Sequence, residues 1–422
     1  MKSNTSVSMD SEFSQVRVPA SAKQGFWQIA FIMVGFTFFS PSMMAGGRLG
    51  LGLTFSQFVL AVILGNAFLA LYTGVLAYIS QKTGMTLDLL AQRAFGEKGS
   101  QVCSALISIT QMGWFGVGIA MFAIPVGNLL GISPYILVAV VGALMTLTAA
   151  LGVKALAIFG GIAVPLIALL GSYSVTLAAQ QAGGFFQMFS EHPAEPISMT
   201  AALGIVIANF ISGGTATPNF ARFGKTAKSA VGATVLAFFV GNIIMFVFGA
   251  AGAAVYQEPD IFNVLILQGL TLPAILTLGL NIWSTNNNAL YTTGLGFSNI
   301  TRKSTKTTTI LGGILGTILA VYLYNNFVGY LSVLGSMIPP VGVVLSIHYF
   351  RHREQYLEDS MKNTPLFSAP ALVAVALGIV TGLFLPVGIP ALNALIASGF
   401  SFLIGDHFFT VSAQKSVAAD LE

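Results

Sequence analysis

The sequence predicts an all-α polytopic membrane protein with twelve transmembrane helices. Two compositional facts point there: 55% of its 422 residues are hydrophobic and only 8% are charged. A soluble protein carries about 25% charged residues, so most of this surface must meet lipid. The third observation is that long apolar runs recur along the whole chain. A hydrocarbon core about 30 Å thick needs roughly 20 such residues per helix.

The expected spans are 26–46, 55–79, 101–125, 133–152, 156–179, 199–221, 230–255, 271–297, 308–325, 327–349, 367–385 and 389–405. They form one transporter-sized domain, 26–407, between a polar arm, 1–25, and a tail, 408–422. No polar stretch is long enough for a separate soluble domain. The arm lacks the apolar core of a cleavable signal peptide, so span 1 is expected to direct insertion itself. Cys103 is the only cysteine, which excludes an intramolecular disulfide and leaves the redox compartment unspecified.

Charge gives the orientation. With the N-terminus placed in the cytoplasm, every lysine and arginine except Arg48 falls on the cytoplasmic side, out of 18 in all. This is the positive-inside pattern over short loops. Both termini are therefore expected in the cytoplasm, and the basic excess calls for no nucleic acid. The 14 acidic residues and 4 histidines fall in loops, tails or at span ends. Ionisable groups at mid-depth mark proton relays and charged-solute sites, so their absence disfavours both. Enzyme readings fail on the same ground. There is no HExxH, no cysteine–histidine set and no carboxylate pair to activate a nucleophile.

Four spans carry unusual polarity. Span 1 contains "MVGFTFFSPSMMAGG" (33–47), where Ser40-Pro41-Ser42 interrupts the helix because proline removes a donor and clashes with the preceding turn. Span 3 contains "TQMGWFGVG" (110–118). Gln111 and Trp114 stand at i and i+3, placing an amide and a large ring on one face, with Gly113, Gly116 and Gly118 leaving room beside them. Span 6 contains "FISGGTATPNFARFGK" (210–225), where Ser212, Gly213, Gly214, Thr215 and Thr217 precede Pro218 and predict an unwound turn. Freed backbone groups survive in lipid only when buried in protein or lining a cavity; the alternative is a packing kink. Spans 1 and 6 lie five apart. Paired interruptions in two halves point to an inverted-repeat transporter with a midplane site, the break offering backbone donors and acceptors to a solute.

Span 8 contains "LNIWSTNNNALY" (280–291). Asn281, Ser284 and Thr285 share one helical face. Neutral oxygens without a carboxylate suit a weakly held, hard monovalent cation, since calcium recruits acidic ligands. The alternative is a polar seam between helices. Phe210, just before the span 6 break, supplies a second ring opposite Trp114. Two aromatic faces with amides between them describe a slot for a flat, uncharged, hydrogen-bonding ring, the way unstacked bases are held.

The stretches "GWFGVGIAMFAIPVG" (113–127), "NFARFGKTAKSA" (219–230), "LGLNIWSTNNNALYTTGLGF" (278–297) and "LYNNFVGYLSVLGSMIPPVG" (323–342) closely resemble the cytosine permeases of the nucleobase–cation symporter-1 family. The similarity runs from about residue 12 to the end of span 12. It implies a LeuT-type fold, with spans 1–5 and 6–10 as inverted repeats, spans 1 and 6 discontinuous, and two extra helices. It also implies sodium-driven import of cytosine, and of close analogues such as 5-fluorocytosine, across the inner membrane, with no obligatory protein partner.

Carried over by residue, the resemblance makes Trp114 and Phe210 the aromatic sandwich. Gln111 and Asn286 would bond the ring's polar edge, with backbone groups around Ser212, Gly213, Gly214 and Thr215. Sodium would be held by backbone oxygens of Gly35, Phe38 and Asn281 and the hydroxyls of Ser284 and Thr285. Two positions depart from the family pattern: Asn209, where a serine is expected, and Asn219, where an aspartate is usual. The first bears on selectivity, the second on gating. Rival readings are a relative for another flat solute (uracil, a purine, allantoin or a hydantoin) and a passive channel, which would need no paired breaks.

Overall fold

The computed structural model describes residues 13–189, 193, 195–357 and 364–419. Among the expected loop and tail charges, Lys2, Asp10, Glu12, Glu191, His192, Glu358, Asp359, Lys362, Asp420 and Glu422 lie outside those residues. The described chain is helical; its β pairing is an isolated bridge between Gln24 and Gly224.

The first span is two helices, α1 (Phe26–Thr37) and α2 (Ser40–Gly52), bent by 50°. The break falls at Phe38 and Phe39, one step before the expected Ser40-Pro41-Ser42. Those three residues instead open α2, with Pro41 in its first turn. A first-turn proline loses nothing there, because its N–H would have no helical partner. Next come α3 (Phe55–Thr83) and a short buried helix, α4 (Leu87–Phe95). The chain continues through α5 (Gly99–Leu130), α6 (Pro134–Ala149) and α7 (Val153–Ala182). Helix α3 starts on a reciprocal cap between Thr54 and Gln57 and stops at Gly84, whose φ of +69° suits a residue without Cβ.

The second half opens with α8 (Met199–Thr215), a turn and one-turn α9 (Pro218–Ala221). Helix α10 (Ala227–Val235) runs through a π-helical segment, Leu236–Gly241, into α11 (Asn242–Tyr256). Then come α12 (Ile261–Leu267), α13 (Thr271–Thr301), α14 (Thr305–Asn325), α15 (Phe327–Met337) and α16 (Pro339–Arg351). The chain ends with α17 (Ala369–Phe384) and α18 (Pro390–Ala419). The tail expected from residue 408 thus continues as helix as far as it is described.

Among the described residues, seven helices are long and apolar enough to cross a membrane, or eight with the bent pair counted as one span. The remaining expected spans fall on three shorter apolar helices (Pro134–Ala149, Met199–Thr215 and Ala369–Phe384) and on α13. Helix α13 has length to spare but carries the polar run 281–288.

Small residues let the broken helices pack closely. A Cβ on Gly249 of α11 would lie 1.8 Å from the Met43 carbonyl oxygen. One on Gly46 or Gly50 of α2 would lie 2.3 or 2.6 Å from backbone oxygens of α11. Helices α2 and α11 therefore meet backbone to backbone, as small residues permit where lipid supplies no hydrophobic drive. This fixes α2, and with it one lip of the break at Phe38–Phe39.

Candidate functional site

Helix α8 passes intact through the stretch expected to unwind. Ala216 N–H donates to the carbonyls of Ser212 and Gly213 (both 3.1 Å), and Thr217 N–H to Gly214 (3.1 Å). The Thr215 hydroxyl folds back onto the Ile211 carbonyl at 2.8 Å. The interruption sits at Ala216–Thr217 instead. Away from water nothing competes for these backbone bonds, so glycines and hydroxyl residues remain helical until Pro218 forces the stop. The carbonyls of Ser212, Gly213 and Gly214 are thus taken within the helix end.

Only part of that stretch faces the slot. Ser212 Oγ accepts from Gln111 Nε2 at 3.1 Å and from Trp114 Nε1 at 2.9 Å. Gly213 lies against Phe210 and Phe36, where a Cβ would approach within 2.7 Å. Gly214 packs on Thr73, and Thr215 Oγ1 bonds Tyr72 OH at 2.7 Å, both toward α3. One turn of helix divides the four residues between two sides.

The rings meet through a residue that the sequence reading passed over. Phe39, in the break of the first span, packs edge-on against Trp114 (5.3 Å between centroids) and Phe210 (5.9 Å). Phe210 also has Phe36 and Phe238 edge-on, each at 5.3 Å. The signal was available: a paired break presents whatever residue occupies it, and here that is an aromatic. Phe36, Phe39, Gln111, Trp114, Asn209, Phe210, Gly213, Thr285 and Ala289 enclose a cavity of about 10 Å³. That is space for about one water, so the slot is closed and the rings must separate to admit a solute.

Asn286 is not part of this lining. Its Nδ2 donates to the Phe115 carbonyl at 3.1 Å and lies 3.3 Å from Met145 Sδ, toward α5 and α6. Asn287 bonds Thr148 of α6 at 3.0 Å, and Trp283 bonds the same hydroxyl at 2.7 Å. This half of the polar run is an interhelical seam, because consecutive helical residues point about 100° apart. Asn209, marked as a departure, does line the slot. Its Nδ2 donates to Ser42 Oγ at 2.8 Å.

The other half of the run faces the break in the first span. Asn281 Nδ2 donates to the Phe38 carbonyl, and Ser40 Oγ donates to Asn281 Oδ1 at 2.8 Å. Ser284 Oγ is buried without a partner among the described residues, and a Cβ on Gly35 would lie 3.3 Å from it. Thr285 Oγ1 donates to its own helix at Asn281 and Ile282. Gly35, Phe38, Asn281, Ser284 and Thr285 are therefore brought together at the C-terminal end of α1. Carbonyls there have no N–H of their own helix to accept, and the helix dipole is negative. An orphaned hydroxyl beside such carbonyls fits a hard monovalent cation. Among the described residues no group of three or more His, Cys, Asp or Glu is placed to hold a metal.

A larger cavity, about 570 Å³, opens on the side carrying Arg48, between α2, α8, α15, α17 and α18. None of the expected site residues lines it. It adjoins the slot through Ala208 and Phe327, the latter 6.0 Å from Trp114.

On the opposite side the arm before α1 closes over the bundle. Arg222, just beyond α9, is fully buried. It donates to the carbonyls of Asn219 (3.1 Å) and Phe13 (2.9 Å) and to Tyr291 OH. Asn219 Oδ1 in turn accepts from Leu87 N–H at the start of α4 (3.0 Å). Lys23 Nζ donates to the Arg222 carbonyl at 2.5 Å. Burial, aided by Arg222, lowers its pKa to about 8. Asp88, read from sequence as a loop acid, is 5% exposed on α4. It accepts from Ser104 at 2.5 Å, and burial raises its pKa to about 6.

The family model described as "Permease for cytosine/purines, uracil, thiamine, allantoin" matches residues 17–405. Cytosine permeases of Escherichia coli strain K12 and of O157:H7 are each 50% identical over 398 residues, covering 94% of this chain and 95% of theirs. Among solved structures, Mhp1, a nucleobase-cation-symport-1 family transporter in a closed conformation with bromovinylhydantoin bound, superposes with a TM-score of 0.83. The identity is 17%, over 94% of this chain and 96% of that one. A Na+-coupled sialic acid symporter gives 0.69 at 15% identity, over 95% and 93%. Both likenesses describe the fold, which is the LeuT-type arrangement expected.

Proposed function

Since the chain belongs to the family of permeases for cytosine/purines, uracil, thiamine and allantoin, and is thus a multi-pass membrane transporter and not an enzyme, we propose that it is a sodium-coupled symporter importing cytosine by alternating access. The observation that carries the reading is the convergence of Gln111 and Trp114 on Ser212 Oγ beside Phe210. Half identity with cytosine permeases over nearly the full length supports the choice of solute.

In this mechanism Trp114 and Phe210 clasp the flat ring after Phe39 withdraws from between their edges. Gln111 and the Ser212 hydroxyl keep their mutual bond, and the free oxygen of the one and the hydrogen of the other then bond the ring's polar edge. Buried polar groups left unmatched by a wrong ring cost about 1–3 kcal/mol each, which gives the slot its selectivity. A 5-fluorine leaves that edge unchanged, so 5-fluorocytosine is accepted. The cavity beside Arg48 is the outer approach and Phe327 its floor. The cluster of Lys23, Asp88, Asn219 and Arg222 closes the cytoplasmic side, on which both termini lie. Gly35, Phe38, Asn281, Ser284 and Thr285 hold the sodium ion, whose positive charge favours the carbonyl-rich end of α1.

Uptake of labelled cytosine into proteoliposomes tests this, with and without a sodium gradient and against unlabelled uracil, purines, allantoin and hydantoins. Saturable, sodium-dependent uptake inhibited by cytosine is expected. Non-saturable flux would indicate a channel, and preferential inhibition by another solute would reassign the slot.

A further inference from the structure

Two buried side-chain oxygens at the slot lack partners among the described residues: Gln111 Oε1 and Asn209 Oδ1. Each belongs to an amide whose nitrogen is engaged elsewhere. Gln111 Nε2 is held by Ser212 Oγ, and Asn209 Nδ2 by Ser42 Oγ. As placed, the amides present their acceptors at the cavity, although a free amide offers both kinds of group. Both residues line the same small cavity and both are about 1% exposed. An orphaned buried acceptor is costly in a closed site, and two in one cavity call for a ligand bearing N–H groups.

Resting on the reading of the chain as a cytosine symporter, we infer that Asn209 is a specificity-determining residue whose Oδ1 accepts an N–H from the exocyclic amino group of the bound ring. Asn209 takes the part that the sequence alone gave to Asn286, whose amide faces α5 and α6. Ser212 completes the pattern. Its oxygen accepts from Gln111 and Trp114, leaving its own hydrogen for a ring nitrogen acceptor. Acceptors from the amides with a donor from Ser212 match an amino group beside an unprotonated ring nitrogen. A carbonyl beside a ring N–H presents the opposite polarity, and Oδ1 repels it. The Asn209–Ser42 bond has a second consequence. It joins α8 to α2, so a ring drawing on Oδ1 also orders the lip of the first-span break.

The test measures binding of cytosine, uracil and 2-pyrimidinone, which lacks the amino group, to the full-length protein in sodium. The parent should prefer cytosine to 2-pyrimidinone by about tenfold, the size of one lost buried hydrogen bond. Asn209→Ala should bring the two into near equality, because it removes the acceptor from both complexes but only cytosine used it. Asn209→Ser, smaller and still polar, keeps the variant set informative if the alanine form does not fold; its cytosine-to-2-pyrimidinone ratio should fall between the other two. Equal weakening of both ligands, or an unchanged ratio in both variants, would overturn the assignment while leaving cytosine transport standing. A parent that binds no cytosine at all overturns the transport reading itself.

Discussion

Ser40 at the start of α2 donates its hydroxyl to Asn281 Oδ1 on α13 at 2.8 Å, while the nitrogen of that same amide donates to the Phe38 carbonyl. One side chain on an unbroken helix therefore holds both lips of the break in the first span. Phe39 lies between those lips, with its ring against Trp114 and Phe210. A cation taking the Phe38 carbonyl has to displace the Asn281 amide, and Phe39 sits on the backbone that moves. The proposed ion site and the slot are thus joined through consecutive residues, which would give coupling a physical path.

Ser284→Ala tests the ion site. It removes the orphaned hydroxyl beside Gly35 and should raise the sodium concentration for half-maximal cytosine uptake by roughly tenfold, equivalent to about 1.4 kcal/mol. Cytosine affinity at saturating sodium should change little. Uptake that follows a pH gradient in sodium-free vesicles would remove sodium from the mechanism.

Trp114→Ala tests the slot. A stacking face is worth roughly 1–3 kcal/mol per base, so cytosine affinity should fall about tenfold to a hundredfold. Trp114→Phe keeps a ring but loses the Nε1 bond to Ser212 and should fall between. Calorimetric titration reads both; parent-like binding by the alanine variant would make Trp114 a packing residue.

The sequence made the helical class, the bend of the first span and the polar face of α13 legible, because each leaves a local mark: apolar runs, proline, and an amide and two hydroxyls at i, i+3 and i+4. It misplaced both breaks by a few residues. Ser40-Pro41-Ser42 weakens a helix interior but suits a first turn, and Ser212–Thr215 stays helical where water is absent. The inward role of Phe39 and the turn of Asn286 toward α5 and α6 left no such mark. Each depends on which neighbouring helix a side chain meets, and that is settled only when α1, α5, α8 and α13 pack. Asn209 was noticed for its identity, yet its bond to Ser42 joins residues 167 positions apart.

The approach of α2 to α11 predicts a sharp contrast between glycines. Gly249→Ala would drive a Cβ into the Met43 carbonyl, whereas nothing lies within 4 Å of a Cβ on Gly161 in α7. Overpacking that moves backbone costs about 1–3 kcal/mol or more. Gly249→Ala should lower the melting temperature in detergent and reduce uptake, and Gly161→Ala should do neither. Equal melting temperatures for the two variants would mean that α2 is free to shift at no cost.

The last prediction concerns pH and rests on Asp88. Its carboxyl is buried on α4, accepts from Ser104, and feels the positive charge of Arg222. Burial outweighs the Ser104 bond, a backbone hydrogen bond and the charge of Arg222, and raises its pKa from 3.8 to about 6. A carboxyl with a raised folded pKa binds its proton more tightly in the fold than in the unfolded chain. Its contribution to stability is therefore full below about pH 4 and is lost as pH rises through about 6. A shift of about two units corresponds to about 3 kcal/mol at most. Asp88→Asn keeps a neutral group of the same shape that still accepts from Ser104. The variant should match the parent near pH 4 and melt higher than the parent above pH 6.5. Melting curves of both proteins across pH 4–8 decide it. A variant that melts lower than the parent at pH 7.5 would show instead that the ionised carboxylate, attracted by Arg222, stabilises this end of the bundle.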